Sequence, residues 1–108
     1  MSAEGLLDEL EAVLLHIGVL LPTDKSVWDA NELVRLSIER LWIVAGTTAE
    51  EYRKAVGFDK GARPWAELYR HRNLLAHQTL SERTPDRTWH ESLRDLPRLL
   101  DQVRAARP

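Results

Sequence analysis

Apolar residues in this chain recur at spacings of three and four, and no stretch of strand length alternates. That rhythm belongs to amphipathic helices and not to half-buried strands, so it restricts the chain to an all-α fold. Leu6, Leu10, Val13, Leu14, Ile17 and Leu21 form one such stripe over residues 2–21, and Pro22 stops it. Ser2 with Gly5 is a poor start signal for this helix. A second helix is predicted from Val27 to Ala45, capped by Asp24 or Ser26, with Gly46 as its left-handed C-terminal cap. Thr48 and Glu51 then read as the capping box of a short third helix ending at Val56. A fourth runs from Pro64 to about Leu80, with Pro64 at its first position, where a missing N–H is harmless. Thr88 and Glu91 read as a second capping box, opening a fifth helix to about Ala106 that Pro97 kinks or divides. Five helices on short loops predict an antiparallel four-helix bundle with a short extra helix, as one domain over residues 1–108.

Composition excludes several functions. Without cysteine the chain has neither disulfides nor a thiolate metal site. The four histidines are scattered, so no metal and no cofactor is expected. No run of about 18 apolar residues exists, and no basic residue precedes Lys25, which predicts no membrane span, no signal peptide and a cytoplasmic location. The net charge of −2 does not announce a nucleic-acid binder, but its distribution is uneven. Residues 1–24 carry five acids and no Lys or Arg, whereas residues 52–72 carry six basic residues against two acidic ones. Such a basic segment either steers a phosphate backbone or is a solvated face that balances acids elsewhere.

The fourth helix holds the anomaly. Trp65, Leu68, Tyr69, Leu75 and Ala76 fall on one side at about 100° per residue, and Arg72 falls among them. A guanidinium cannot shed its proton, and burying it unpaired is costly. Arg72 therefore snorkels past the stripe, pairs with a buried acid such as Glu32 or Glu39, or faces a cleft that receives an anion. Asn73 adjoins it and His77 lies five residues on, giving a fixed cation, an amide and a group that titrates near neutrality. On an ideal helix Arg72 and His77 point about 140° apart. They converge only if the helix ends near His77 or a second chain completes the site. His71 faces about 100° away from Arg72 and reads as a surface or rim residue, as does Arg70. Trp65 and Tyr69 read first as packing residues and second as platforms for stacked bases.

The segment PWAELYRHRNLLAH, residues 64–77, resembles the signature of the HEPN superfamily, in particular its HepT-like branch. Arg72 and His77 match the Arg and His of that branch's Arg-x4–6-His motif, and Asn73 matches the Asn that often follows the Arg. Asp95, Leu96 and Pro97 are also similar to it. The likeness spans roughly residues 31–103. It implies a four-helix bundle with a short extra helix. It also implies a homodimer with paired motifs in one cleft, acting on RNA as a metal-independent endoribonuclease and toxin. The partner it implies is an MNT-type nucleotidyltransferase antitoxin. In many such toxins a Tyr two residues after the His is adenylylated. Here Gln78 and Thr79 follow His77, so Thr79 is the only hydroxyl in that place and a poorer acceptor.

Metal-free RNA cleavage needs a base for the 2′-OH, an acid for the leaving 5′-oxygen and a cation for the phosphate. Arg72 would clamp phosphate, His77 would act as acid or base, and Asn73 would orient them, with Arg70 and His71 as substrate-binding residues at the rim. Two other readings stand beside this one. One is a catalytically silent HEPN-like module that binds RNA or nucleotide or regulates a partner. The other is a plain helical dimer in which Arg72 salt-bridges Glu32 or Glu39.

Overall fold

The computed structural model describes residues 1–78 and 84–108. Over these residues the chain is all-helical, with α1 (Ala3–Leu20), α2 (Lys25–Ala30), α3 (Glu32–Val56), α4 (Trp65–His77) and α5 (Pro85–Ala105). Ser2 does cap α1, its Oγ accepting from the Gly5 N–H at 3.0 Å. Asp24 caps α2 by accepting from the Ser26 N–H at 2.9 Å.

The predicted second and third helices are divided differently. The break falls at Asn31, whose Oδ1 caps α3 by accepting from the Val34 N–H. Arg35 Nη1 donates to the carbonyls of Trp28 and Asp29, satisfying the open C-terminal end of α2. Gly46 is not a cap: α3 passes straight through it to Val56. The left-handed cap is Gly57, at φ 80°, and both Gly57 and Phe58 N–H groups return to the Arg53 carbonyl. Thr48 lies inside the helix, its hydroxyl donating back to the Val44 carbonyl.

Two other boundaries move. Pro64 holds the cap position of α4, so Trp65 is the first helical residue. α5 begins at Pro85, behind Thr84, which leaves Thr88 buried inside the helix and not at its cap. Proline at the first position suits a helix start better than a capping box three residues on. Pro97 sits inside α5, exposed, without dividing it.

Helix direction follows from cross-ties. Trp89, near the start of α5, donates its indole N–H to the Pro22 carbonyl beyond the end of α1. At the other end Arg107 pairs with Asp8 and Glu11 near the start of α1. These two helices are therefore antiparallel. The pairings Tyr52–Trp65 and Thr47–Arg72 set α4 antiparallel to α3 in the same way. The core fills the space between them with Leu10, Leu14 and Ile17 of α1, Ile38 and Trp42 of α3, and Leu68 of α4, all at most 2% exposed. Trp28 is as buried as these, and the indole N–H groups of Trp28 and Trp42 each find an acceptor on α5: the Pro85 carbonyl and Ser92 Oγ. The architecture is thus an all-α bundle of α1, α3, α4 and α5, with α2 as the short extra helix. Among the described residues no helix is long and apolar enough to cross a membrane.

Candidate active site

α4 buries Trp65 and Leu68 against the core, with Tyr69 and Leu75 half-buried; Ala76, expected on the same side, is exposed. The stem of Arg72 crosses α3 where Gly46 offers no side chain. A Cβ at position 46 would lie 2.2 Å from the Arg72 Cβ and 2.6 Å from the Leu68 carbonyl oxygen. The glycine is there for close approach of two helices.

Among the described residues Arg72 pairs with no acid; it snorkels past the stripe, and its end is held. Its stem packs on Gly46 and its head emerges half-buried at the edge of α3. Nε donates to Thr47 Oγ1 at 3.3 Å and Nη1 to Asn73 Oδ1 at 2.8 Å. The guanidinium carbon stands 5.8 Å from the centre of the Tyr69 ring. These hydrogen bonds go to neutral oxygens, so among the described residues the positive charge at this edge is oriented without being neutralised by a carboxylate.

His77 is the last residue of α4 and is exposed; Gln78 continues in extended conformation. His77 is itself still helical, so the end of the helix does not turn it toward Arg72, and a second chain is the remaining route to convergence. Arg70, Asn73 and His77 occupy one face of α4 and line a shallow surface with Leu74 and Gln78. Among the described residues no hydrogen bond joins Arg72 to His77; Asn73 stands between them, bonded to one and sharing a face with the other. Thr79 lies outside the described residues.

His71 differs from the surface residue expected. Its ring packs in a T-shaped contact with Trp42, centroids 4.9 Å apart, and its buried Nε2 has no hydrogen-bond partner among the described residues. Burial pushes its pKa below the ordinary histidine range, against the pull of Glu91, Asp95 and Glu67 and with a smaller push from Arg87. The ring forms part of a cavity of about 220 Å³ between α4 and α5. Arg98 ties the two helices across this cavity by pairing with both Glu67 and Asp95. Arg94, more than Arg98, holds the Asp95 carboxyl below its usual range. The helical wheel contained a signal for His71. Relative to Leu68 and Leu75, residues 71 and 72 flank the buried stripe at about 50° on either side, so both were placed to reach inward.

Compared with protein-family models, curated proteins and solved structures, the chain matches none.

Proposed function

We propose that the protein is a metal-independent endoribonuclease of toxin type, acting as a homodimer and held in check by a nucleotidyltransferase-like antitoxin. The observation that carries the reading is the Arg72 guanidinium, held by Thr47 and Asn73 at the end of α4 where His77 is exposed. In this reading Arg72 forks onto the non-bridging oxygens of the scissile phosphate. A histidine takes the 2′-OH proton as that oxygen attacks phosphorus. The bond from phosphorus to the 5′-oxygen breaks, leaving a 2′,3′-cyclic phosphate, and a second histidine protonates the departing oxygen. One chain supplies one His77; the second comes from the other copy. Arg70 places a second positive charge on the face of α4 that carries Asn73 and His77.

A row of residues on α3 supports the dimer. Leu36, Arg40, Ile43 and Thr47 share one helix face, with Leu33 77% exposed just before them and Leu36 39% exposed. Isolated apolar side chains on a surface are ordinary, but a row leading to the residue that holds Arg72 is a candidate contact. A second copy seated there would bring two Arg72–Asn73–His77 sets to one twofold cleft.

The test compares wild type with Arg72→Ala and His77→Ala in an RNA cleavage assay, with dimer mass and helicity as folding controls. Loss of cleavage in both folded variants is expected. Wild-type protein that binds RNA and never cuts it would favour a silent binding module instead.

A further inference from the structure

The α4–α5 cavity is chemically unlike the rest of the surface. The rings of Trp42 and His71, set at 70° to each other, are part of its lining, and Leu74 and Leu99 add apolar surface. The buried Nε2 of His71 has no partner there, and a buried polar atom left unpaired calls for an explanation. A group entering the cavity would meet that nitrogen once the imidazole turned toward it.

The charged rim is not uniform. Both oxygens of Glu67 are taken by Arg98, and both of Asp95 by Arg94, so these carboxylates serve as ties. Glu91 is held only through Oε1, by Arg87 one turn before it, whose side chain is 69% exposed. An exposed i,i+4 pair of this kind adds little to stability, so Glu91 can exchange partners readily. Opposite in charge, Arg70 stands exposed on the rim. Among the described residues, no three His or carboxylate groups are disposed to hold a metal ion. The polar groups are set out for hydrogen bonding.

A small cavity with two aromatic rings, a carboxylate and a guanidinium in its lining fits a ring that carries both donors and acceptors. The volume is below the roughly 300–1,000 Å³ of sites for drug-sized ligands, which suits one ring system. Arg70 and Leu74 line both this cavity and the surface with Asn73 and His77, so the mouth opens beside the surface that carries His77. We propose that this cavity is a nucleobase subsite that holds guanine next to the scissile phosphate. Guanine offers N1–H and N2–H2 to a carboxylate such as Glu91, and O6 and N7 to an arginine such as Arg70. The inference rests on the ribonuclease reading for its place in the substrate, and on the cavity alone for its chemistry.

The test titrates the four 5′-nucleoside monophosphates into the full chain and follows the indole N–H signals by NMR, Trp28 and Trp89 serving as internal controls. GMP should shift the Trp42 signal and bind about tenfold more tightly than the other three, as a well-made base contact discriminates. Glu91→Gln should remove that preference, and Leu74→Trp, at the half-exposed mouth, should abolish the Trp42 response. Equal affinity for all four, no response at Trp42, or GMP binding unchanged in both folded variants overturns the subsite. RNA cleavage followed by end sequencing separates the two readings. GMP binding sensitive to Glu91→Gln in a protein that never cuts RNA would retain the subsite and end the ribonuclease reading. Cleavage with no base preference and no GMP binding would do the reverse.

Discussion

Gly46 and Arg72 touch backbone to stem: a methyl group at position 46 would fall 2.2 Å from the Arg72 Cβ. Helix α4 thus lies on α3 at a distance that only glycine permits. The same contact that binds the two helices sets the height at which the guanidinium emerges.

Gly46→Ala should therefore both destabilise the fold and misplace the arginine. Alanine gains about 1 kcal/mol of helix propensity over glycine. Against this, overpacking costs about 1–3 kcal/mol or more, and here the Leu68 carbonyl at 2.6 Å cannot rotate away. Urea unfolding should show a net loss, and RNA cleavage by the folded fraction should fall. A variant as stable and active as wild type would show that α4 adjusts freely.

Gly57→Ala is the contrast. Nothing lies within 4 Å of a Cβ there, but the backbone stands at φ 80°. The cost is conformational, about 1–2 kcal/mol, and the folded protein should keep its cleavage rate. Denaturant midpoints and single-turnover assays on both glycine variants separate packing from backbone strain.

Ser92, 1% exposed, accepts the Trp42 indole N–H at 2.9 Å in the centre of the bundle. Ser92→Ala leaves that donor buried and unpaired, which costs about 1–3 kcal/mol. The midpoint of urea unfolding should fall without a change in slope. An unchanged midpoint would mean that the indole finds another acceptor.

The stripe of α1, the all-helical class and the existence of α4 and α5 could be read from spacing alone, because a helix that buries one side must repeat its apolar residues at three and four; the same reading divides α3 at Gly46 and merges its start with α2. The role of Gly46 could not be read this way. A glycine closing an apolar run looks the same whether it caps a helix or admits a neighbour, and only the presence of α4 separates the two. Asn31 escaped notice because one polar residue in a polar stretch carries no periodic signal, although its side chain ends one helix and starts another. In the candidate site, the pattern singled out Arg72 but treated His71 as surface, although the two flank the stripe symmetrically. Which of them meets solvent is decided by Trp42, Gly46 and α5, all distant in sequence.

His71 should give stability a distinct pH dependence. Burial sets its folded pKa below the unfolded value of 6.5, so the unfolded chain binds the proton first. Its contribution is complete above about pH 6.5, fades as pH falls below that value, and levels off once the folded protein is protonated as well. Urea unfolding of wild type and His71→Gln at pH 8 and pH 5.5 checks this. Wild type should lose more stability on acidification than the variant, while groups common to both cancel. Parallel losses would show that the buried imidazole is protonated as easily folded as unfolded.

Asn73 links the cation to the end of the helix, and its two simplest variants should fail differently. Asn73→Ala removes the acceptor at 2.8 Å from Arg72 Nη1, leaving Thr47 as the remaining hydrogen-bond acceptor. A misplacement of about 1 Å can cost about a hundredfold in rate, so cleavage should fall chiefly in kcat. Asn73→Asp keeps an acceptor in the same place but brings a negative charge to the guanidinium. The arginine stays positioned while its pull on phosphate weakens, so KM should rise, and the slope of log KM against log salt should fall by about 1. Steady-state cleavage of a short oligoribonucleotide across a salt series distinguishes the two. If neither variant changes kcat or the salt slope, Arg72 is not a phosphate clamp that Asn73 holds in place.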